Sequence, residues 1–147
     1  MSKPTVPFAT TLLIRDSCLC LHAQRAARAL GRRFDEALRP LRLTNGQFSL
    51  MMALNRPVAP AMAGVASLLA MDRTTLTAAL KPLQRRGLVT VETDGADRRS
   101  RVLALTTAGE ALLAEAVPVW QRTHVEIEDR LGDGDPDRLR RDLLHLS

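Results

Sequence analysis

Between residues 72 and 105 the spacing of the apolar side chains changes once, and that change limits the folds open to the chain. Leu76, Leu80 and Leu83 recur at i, i+4 and i+7, the pattern of a helix buried on one face. Leu88-Val89-Thr90-Val91-Glu92 and Arg101-Val102-Leu103-Ala104-Leu105 are instead short β-compatible runs, separated by Thr93-Asp94-Gly95-Ala96-Asp97-Arg98-Arg99-Ser100. Gly87 stands between the two regimes, where a left-handed residue closes a helix. Asp72 is a good N-cap, because its carboxylate can accept from the free amides of a first turn. The spacing therefore predicts a helix near residues 72–86 followed directly by a hairpin whose basic tip lies near residues 92–102.

Upstream, Leu19, Ala23, Ala26, Ala27, Leu30, Phe34 and Ala37 form a helical stripe with Arg25, Arg28, Arg32 and Arg33 on the other faces. One long helix is expected over about residues 17–37, ended by Pro40. Residues 1–10, with Pro4 and Pro7, are expected to form an arm. Thr44 can cap a second helix carrying Phe48, Leu50, Met51, Met52 and Leu54. After a loop at Pro57 and Pro60, a third helix fits residues 63–70. Downstream, Thr106 or Thr107 can start a long helix containing Leu112, Leu113, Ala116, Val119, Trp120, Val125, Ile127 and Leu131 despite Pro118. A turn at residues 132–136 then leads to a last short helix over residues 136–146. The fold class is mainly α with a small β-hairpin wing.

At 147 residues the chain has the size of one domain. Its aromatic residues are Phe8, Phe34, Phe48 and Trp120, so Leu, Ala, Val and Met must build the core. No run reaches the roughly 18 apolar residues of a membrane span, and the start lacks a secretory pattern, so a cytoplasmic protein with no membrane partner is expected. Cys18 and Cys20, one residue apart in an expected helix, suit neither a staple nor a zinc site; no metal and no cofactor are expected. Residues 1–101 carry 16 basic and 7 acidic side chains, whereas residues 102–147 carry 5 and 9. Such segregation points the first part of the chain at a polyanion.

Two short helices followed by a hairpin with an arginine-bearing tip suit double-stranded DNA. A major groove about 12 Å wide admits one helix. Arg73 could then pair with guanine, Thr74 and Thr77 could meet base edges, and Lys81 could meet a phosphate. A solvated helix face is the alternative. Arg98, Arg99 and Arg101 crowd one projecting loop, where phosphates or a narrow minor groove would relieve their repulsion. Asp97 is expected to orient one of these arginines, with Arg99 the candidate for the minor groove; a surface ion pair is the other reading.

Val65-Ala66-Ser67-Leu68-Leu69, Asp72-Arg73-Thr74-Thr75-Leu76, Leu83-Gln84-Arg85-Arg86-Gly87-Leu88-Val89, and above all Asp97-Arg98-Arg99 with Leu105-Thr106-Thr107-Ala108-Gly109, resemble the MarR family of bacterial regulators. The resemblance covers about residues 61–109. It implies a winged helix-turn-helix, with a DNA-binding lobe over about residues 44–109 and dimerisation helices over about 1–40 and 110–147. It also implies a homodimer on a pseudo-palindromic operator, acting as a repressor released by a small aromatic or phenolic effector. Phe34, Phe48, Met51, Met52 and Trp120 could line the effector pocket, although core packing explains the same spacing. Some members of the family answer to oxidants through a cysteine near the first helix, which makes Cys18 and Cys20 a second possible input beside that of inert thiols. Pro82 departs from an ideal reading helix, since it removes one amide and favours a bend after Lys81. His22, His124 and His145 lack ligand spacing and there is no nucleophile motif, so no enzyme is expected. A winged-helix protein-interaction module without DNA binding is the remaining alternative.

Overall fold

The computed structural model describes residues 5–147. Its elements run α1 (Phe8–Ser17), α2 (Leu19–Leu38), a 3-10 turn (Arg39–Leu41), α3 (Asn45–Leu54), α4 (Met62–Leu68), α5 (Arg73–Arg85), β1 (Val89–Thr93), β2 (Arg101–Leu105), α6 (Thr107–Asp129) and α7 (Pro136–His145). The two strands pair antiparallel with Val89 opposite Leu105 and Thr93 opposite Arg101.

Local chemistry sets most of the boundaries. Thr44 and Gln47 form a reciprocal capping box: the Gln47 amide donates to Thr44 Oγ1 at 3.2 Å, and the Thr44 amide donates to Gln47 Oε1 at 3.0 Å. Gly87 has φ +69°, and the Leu88 amide reaches back to the Leu83 carbonyl at 3.0 Å, so α5 ends in a Schellman turn. Helix α5 runs through Pro82 as one element.

Two expectations need correcting at the N-terminal end. The arm expected over residues 1–10 falls partly outside the described residues, and Phe8–Thr10 already belong to α1, which starts directly after the fixed φ of Pro7. The helix expected over about residues 17–37 is α2, and the break at Cys18 separates it from α1, a helix the spacing did not announce. Cys18 is extended (φ −71°, ψ 109°) and caps α2, its sulfur accepting from the Leu21 amide at 3.4 Å. Cys18 and Cys20 therefore do not share one helix. The break follows Asp16 and Ser17, residue types whose side chains compete with helical hydrogen bonding.

The wing is anchored by a contact that no spacing announced. The Leu103 amide donates to the Pro60 carbonyl at 3.0 Å and Ala61 bridges Val102, so the loop before α4 joins the free edge of β2. Below it lies a core whose fully buried side chains include Leu38, Leu50, Met51, Val65, Leu76, Leu80, Leu83 and Leu103, drawn from α2, α3, α4, α5 and β2. Neither α1 nor α7 contributes a buried residue, and Phe8, Leu13, Ile14, Leu139, Leu143 and Leu144 stay exposed.

Candidate nucleic-acid interface

Burial of Leu76, Leu80 and Leu83 fixes the rotation of α5 about its axis. The opposite face is then determined: Arg73, Thr74, Thr77, Ala78 and Lys81 line one shallow exposed groove. At its start Asp72 Oδ1 accepts from the Thr75 amide at 2.7 Å, and that backbone hydrogen bond holds the carboxyl below the usual carboxylate range. Thr77 Oγ1 donates to the Arg73 carbonyl at 2.7 Å, which commits its proton to the helix and leaves the oxygen as an acceptor.

The wing tip is a folded loop. Asp94 Oδ1 accepts from the Ala96 amide at 3.0 Å, Asp97 Oδ1 accepts from the Arg99 amide at 2.9 Å, and the Ser100 amide closes on the Asp97 carbonyl at 3.0 Å. Asp97 thus acts on Arg99 through the main chain, as an Asx turn, and not through an ion pair. Arg101 Nη1 leans on the Arg98 carbonyl at 3.4 Å. These turns present Arg98 and Arg99 outward and exposed.

The exposed cations of the two elements share one property. Among the described residues no carboxylate lies within ion-pairing distance of Arg73, Lys81, Arg98, Arg99 or Arg101; Arg25, Arg28 and Arg122, among others, are unpaired as well, so what distinguishes these five is their place on the exposed α5 face and the wing that follows it. A surface of unpaired cations flanked by hydroxyls that can still accept is suited to phosphates and base edges.

The other predicted residues fall into two groups. Phe34, Phe48 and Trp120 meet in one cluster, with centroids 6.4 Å and 6.3 Å from the indole, while Met52 is half exposed and its neighbour Met51 is buried. His124, missed from the sequence, stacks on Trp120 at 4.6 Å; the i, i+4 spacing was the available signal. An open cleft of about 470 Å³ on the surface of α2 and α6 is lined by Arg32, Arg33, Glu36, Thr123 and Glu126, among others, and not by the aromatic rings. Cys18 is half-buried and Cys20 exposed, both as free thiols. Among the described residues no group of three His, Cys, Asp or Glu could hold a metal, and no helix is long and apolar enough to cross a membrane.

No family model matches the chain. The M. tuberculosis transcriptional regulator MosR, solved in complex with DNA, is 42% identical, superposes with a TM-score of 0.77, and matches over 88% of this chain and 93% of its own. The transcriptional repressor CouR, solved on a 23-mer duplex, is 30% identical with a TM-score of 0.71 over 90% of this chain and 92% of its own; CouR has also been solved with p-coumaroyl-CoA. The Escherichia coli O157:H7 transcriptional regulator HosA is 34% identical over 90 residues, 60% of this chain. That match spans 66% of HosA, just under two thirds of its length.

Proposed function

The chain belongs to the MarR family, as MosR and CouR do, and is a DNA-binding transcriptional regulator; from that premise we propose how its residues divide the work. A homodimer places α5 of each protomer in the major groove of one half of a pseudo-palindromic operator. Arg73, Thr74 and Thr77 read bases there, Lys81 holds a phosphate, and Arg98, Arg99 and Arg101 of the wing grip the backbone or adjacent minor groove. The two flanking regions, about residues 1–40 and 110–147, supply the dimer contacts around a lobe of about residues 44–109. The protein works as a repressor in the cytoplasm, where the operator is, and carries out no catalysis of its own.

The observation that carries this reading is the set of exposed, unpaired cations on α5 and the wing. CouR with p-coumaroyl-CoA supports release by an aromatic effector, for which the Phe34, Phe48, Trp120 cluster between the α2–α6 layer and α3 is the proposed point of action. A thiol input is the second reading, favoured by the place of Cys18 and Cys20 at the α1–α2 break; peroxide that leaves operator binding unchanged removes it.

Footprinting on the promoter beside the protein's own gene, repeated across salt concentrations, tests the main reading. A protected palindrome is expected, with affinity falling steeply as salt rises. Salt-insensitive association, or no protected palindrome, favours a protein-interaction module instead.

A further inference from the structure

The C-terminal end of α5 is the place where the polar connections from both long helices converge. On one side Thr106, the cap of α6, donates its amide to the Leu88 carbonyl at 3.0 Å and its hydroxyl to the Gly87 carbonyl at 2.6 Å. On the other, Arg86 Nη1 donates to the Arg42 carbonyl at 2.6 Å and Nη2 to the Leu41 carbonyl at 3.4 Å, across 44 positions of chain. Leu41 and Arg42 close the 3-10 turn that joins α2 to α3, and Arg42 is left-handed there with φ 56°. A non-glycine residue holds that conformation only when its surroundings fix it. On the far side of the same joint, Asp35 Oδ1 of α2 accepts from the Asn45 amide at 2.7 Å.

We propose that Arg86, bonded to the joint between α2 and α3, is a positioning residue that sets the orientation of α5 relative to α2 and so the half-site spacing the dimer accepts. The inference rests on the DNA-binding reading above. Leu38 and Leu43 pack the same joint, but apolar contact is non-directional and tolerates a small slide. The short bond from the planar guanidinium to the Arg42 carbonyl, backed by the longer contact to Leu41, is directional and resists such a slide. The turn that carries Arg86 is itself locked by Gly87 and Leu88, so the guanidinium transmits the position of α2 to α5 with little slack. A shift of a few ångströms at this joint moves the two reading helices of a dimer relative to each other, and groove spacing is unforgiving of that.

The test uses a duplex that the full-length wild-type protein enriches from a random pool, together with two versions that lack or gain one base pair between the half-sites. Arg86→Met removes the donors and keeps the stem, while Arg86→Lys keeps a charge and a donor should the methionine variant fold poorly. Wild type is expected to bind the altered spacings at least about tenfold more weakly. Arg86→Met is expected to lose about tenfold on the parent spacing, to discriminate little among the three, and to keep the wild-type salt slope; Arg86→Lys falls between. Discrimination equal to wild type in both variants overturns the proposal. So does a salt slope reduced by about one with discrimination intact, because Arg86 would then be holding a phosphate. Failure of the wild type to enrich any duplex instead removes the DNA-binding reading on which the proposal stands.

Discussion

The Thr106 hydroxyl donates to the Gly87 carbonyl at 2.6 Å while its oxygen accepts from the Gly109 amide at 3.0 Å, so one side chain both caps α6 and fastens it to the turn that ends α5. Gly109 completes the joint: a Cβ there would lie 2.1 Å from the Leu88 oxygen. Thr106→Ala is expected to cost about 1.5 kcal/mol, the sum of a lost cap and an orphaned carbonyl. Gly109→Ala is expected to cost more, about 3 kcal/mol, since backbone and not a flexible side chain must move. Urea unfolding of both variants measures this, and an unperturbed Gly109→Ala would show that α6 is not seated on Leu88.

Asp72 carries a pH dependence with a defined sign. Its folded-state pKa lies below the ordinary carboxylate value because the Thr75 amide donates to it. A depressed pKa contributes stability above the unfolded value and loses it as pH falls through the folded one. Asp72→Asn keeps a capping acceptor but not the charge that opposes the helix dipole. Wild type is therefore expected to melt above Asp72→Asn at neutral pH, with the gap closing as pH drops below the usual carboxylate range. A gap that holds constant from pH 7 to pH 3 would remove the assignment.

On the wing, Asp97 presents a choice between two opposed effects. Its charge repels nearby phosphates, yet its acceptor folds the loop that displays Arg99. If folding the loop dominates, Asp97→Ala binds operator about tenfold more weakly with an unchanged salt slope, and Asp97→Asn, which keeps the acceptor, matches or exceeds wild type. Arg99→Ala is expected to weaken binding and to reduce the slope by about one. Anisotropy titrations at four salt concentrations separate the three, and tighter binding by Asp97→Ala would give the role to charge.

These residues also show which information is local. Asp72, Gly87 and Thr106 were legible because a cap or a left-handed turn is decided by one residue and its immediate neighbours, and the α5 face followed from three leucines. Arg86 and Pro60 were not, since each acts on a carbonyl or amide more than 40 positions away and no periodicity encodes such a pair. Asp97 was singled out as the residue that orients an arginine, but the means was not legible: a charge beside arginines also reads as an ion pair, whereas the bond it makes is to the Arg99 backbone amide two residues on. Helix α1 was missed because Pro4 and Pro7 read as an extended arm, although a proline tolerates the position at which a helix begins.

The apolar residues along α7 leave one end of the molecule uncovered. Leu139 and Leu143 of α7 share a mainly apolar groove with Ala26 and Leu30 of α2, with Ile127 of α6 and with Leu131 just beyond it, rimmed by Arg33, Arg130 and Arg140, and no residue of α7 is buried. Within α7 Arg140 pairs with Asp137, and across to α6 it bonds Glu128, each at 2.6 Å, which ties the two helices together at the edge of the groove. In the proposed dimer the matching helices of a second copy fill it, and a carboxylate introduced among Leu139, Ala26 and Leu30 then loses its hydration, at a cost that the arginines at the rim offset only in part. Leu143→Glu leaves the Arg140 bonds untouched. It is expected to sediment as a monomer, to keep its helical circular dichroism, and to bind a two-half-site operator about a hundredfold more weakly, because the second half-site no longer arrives on the same particle. A dimer that survives Leu143→Glu with full operator affinity would exclude α7 from the interface and leave α1 and α2 to form it.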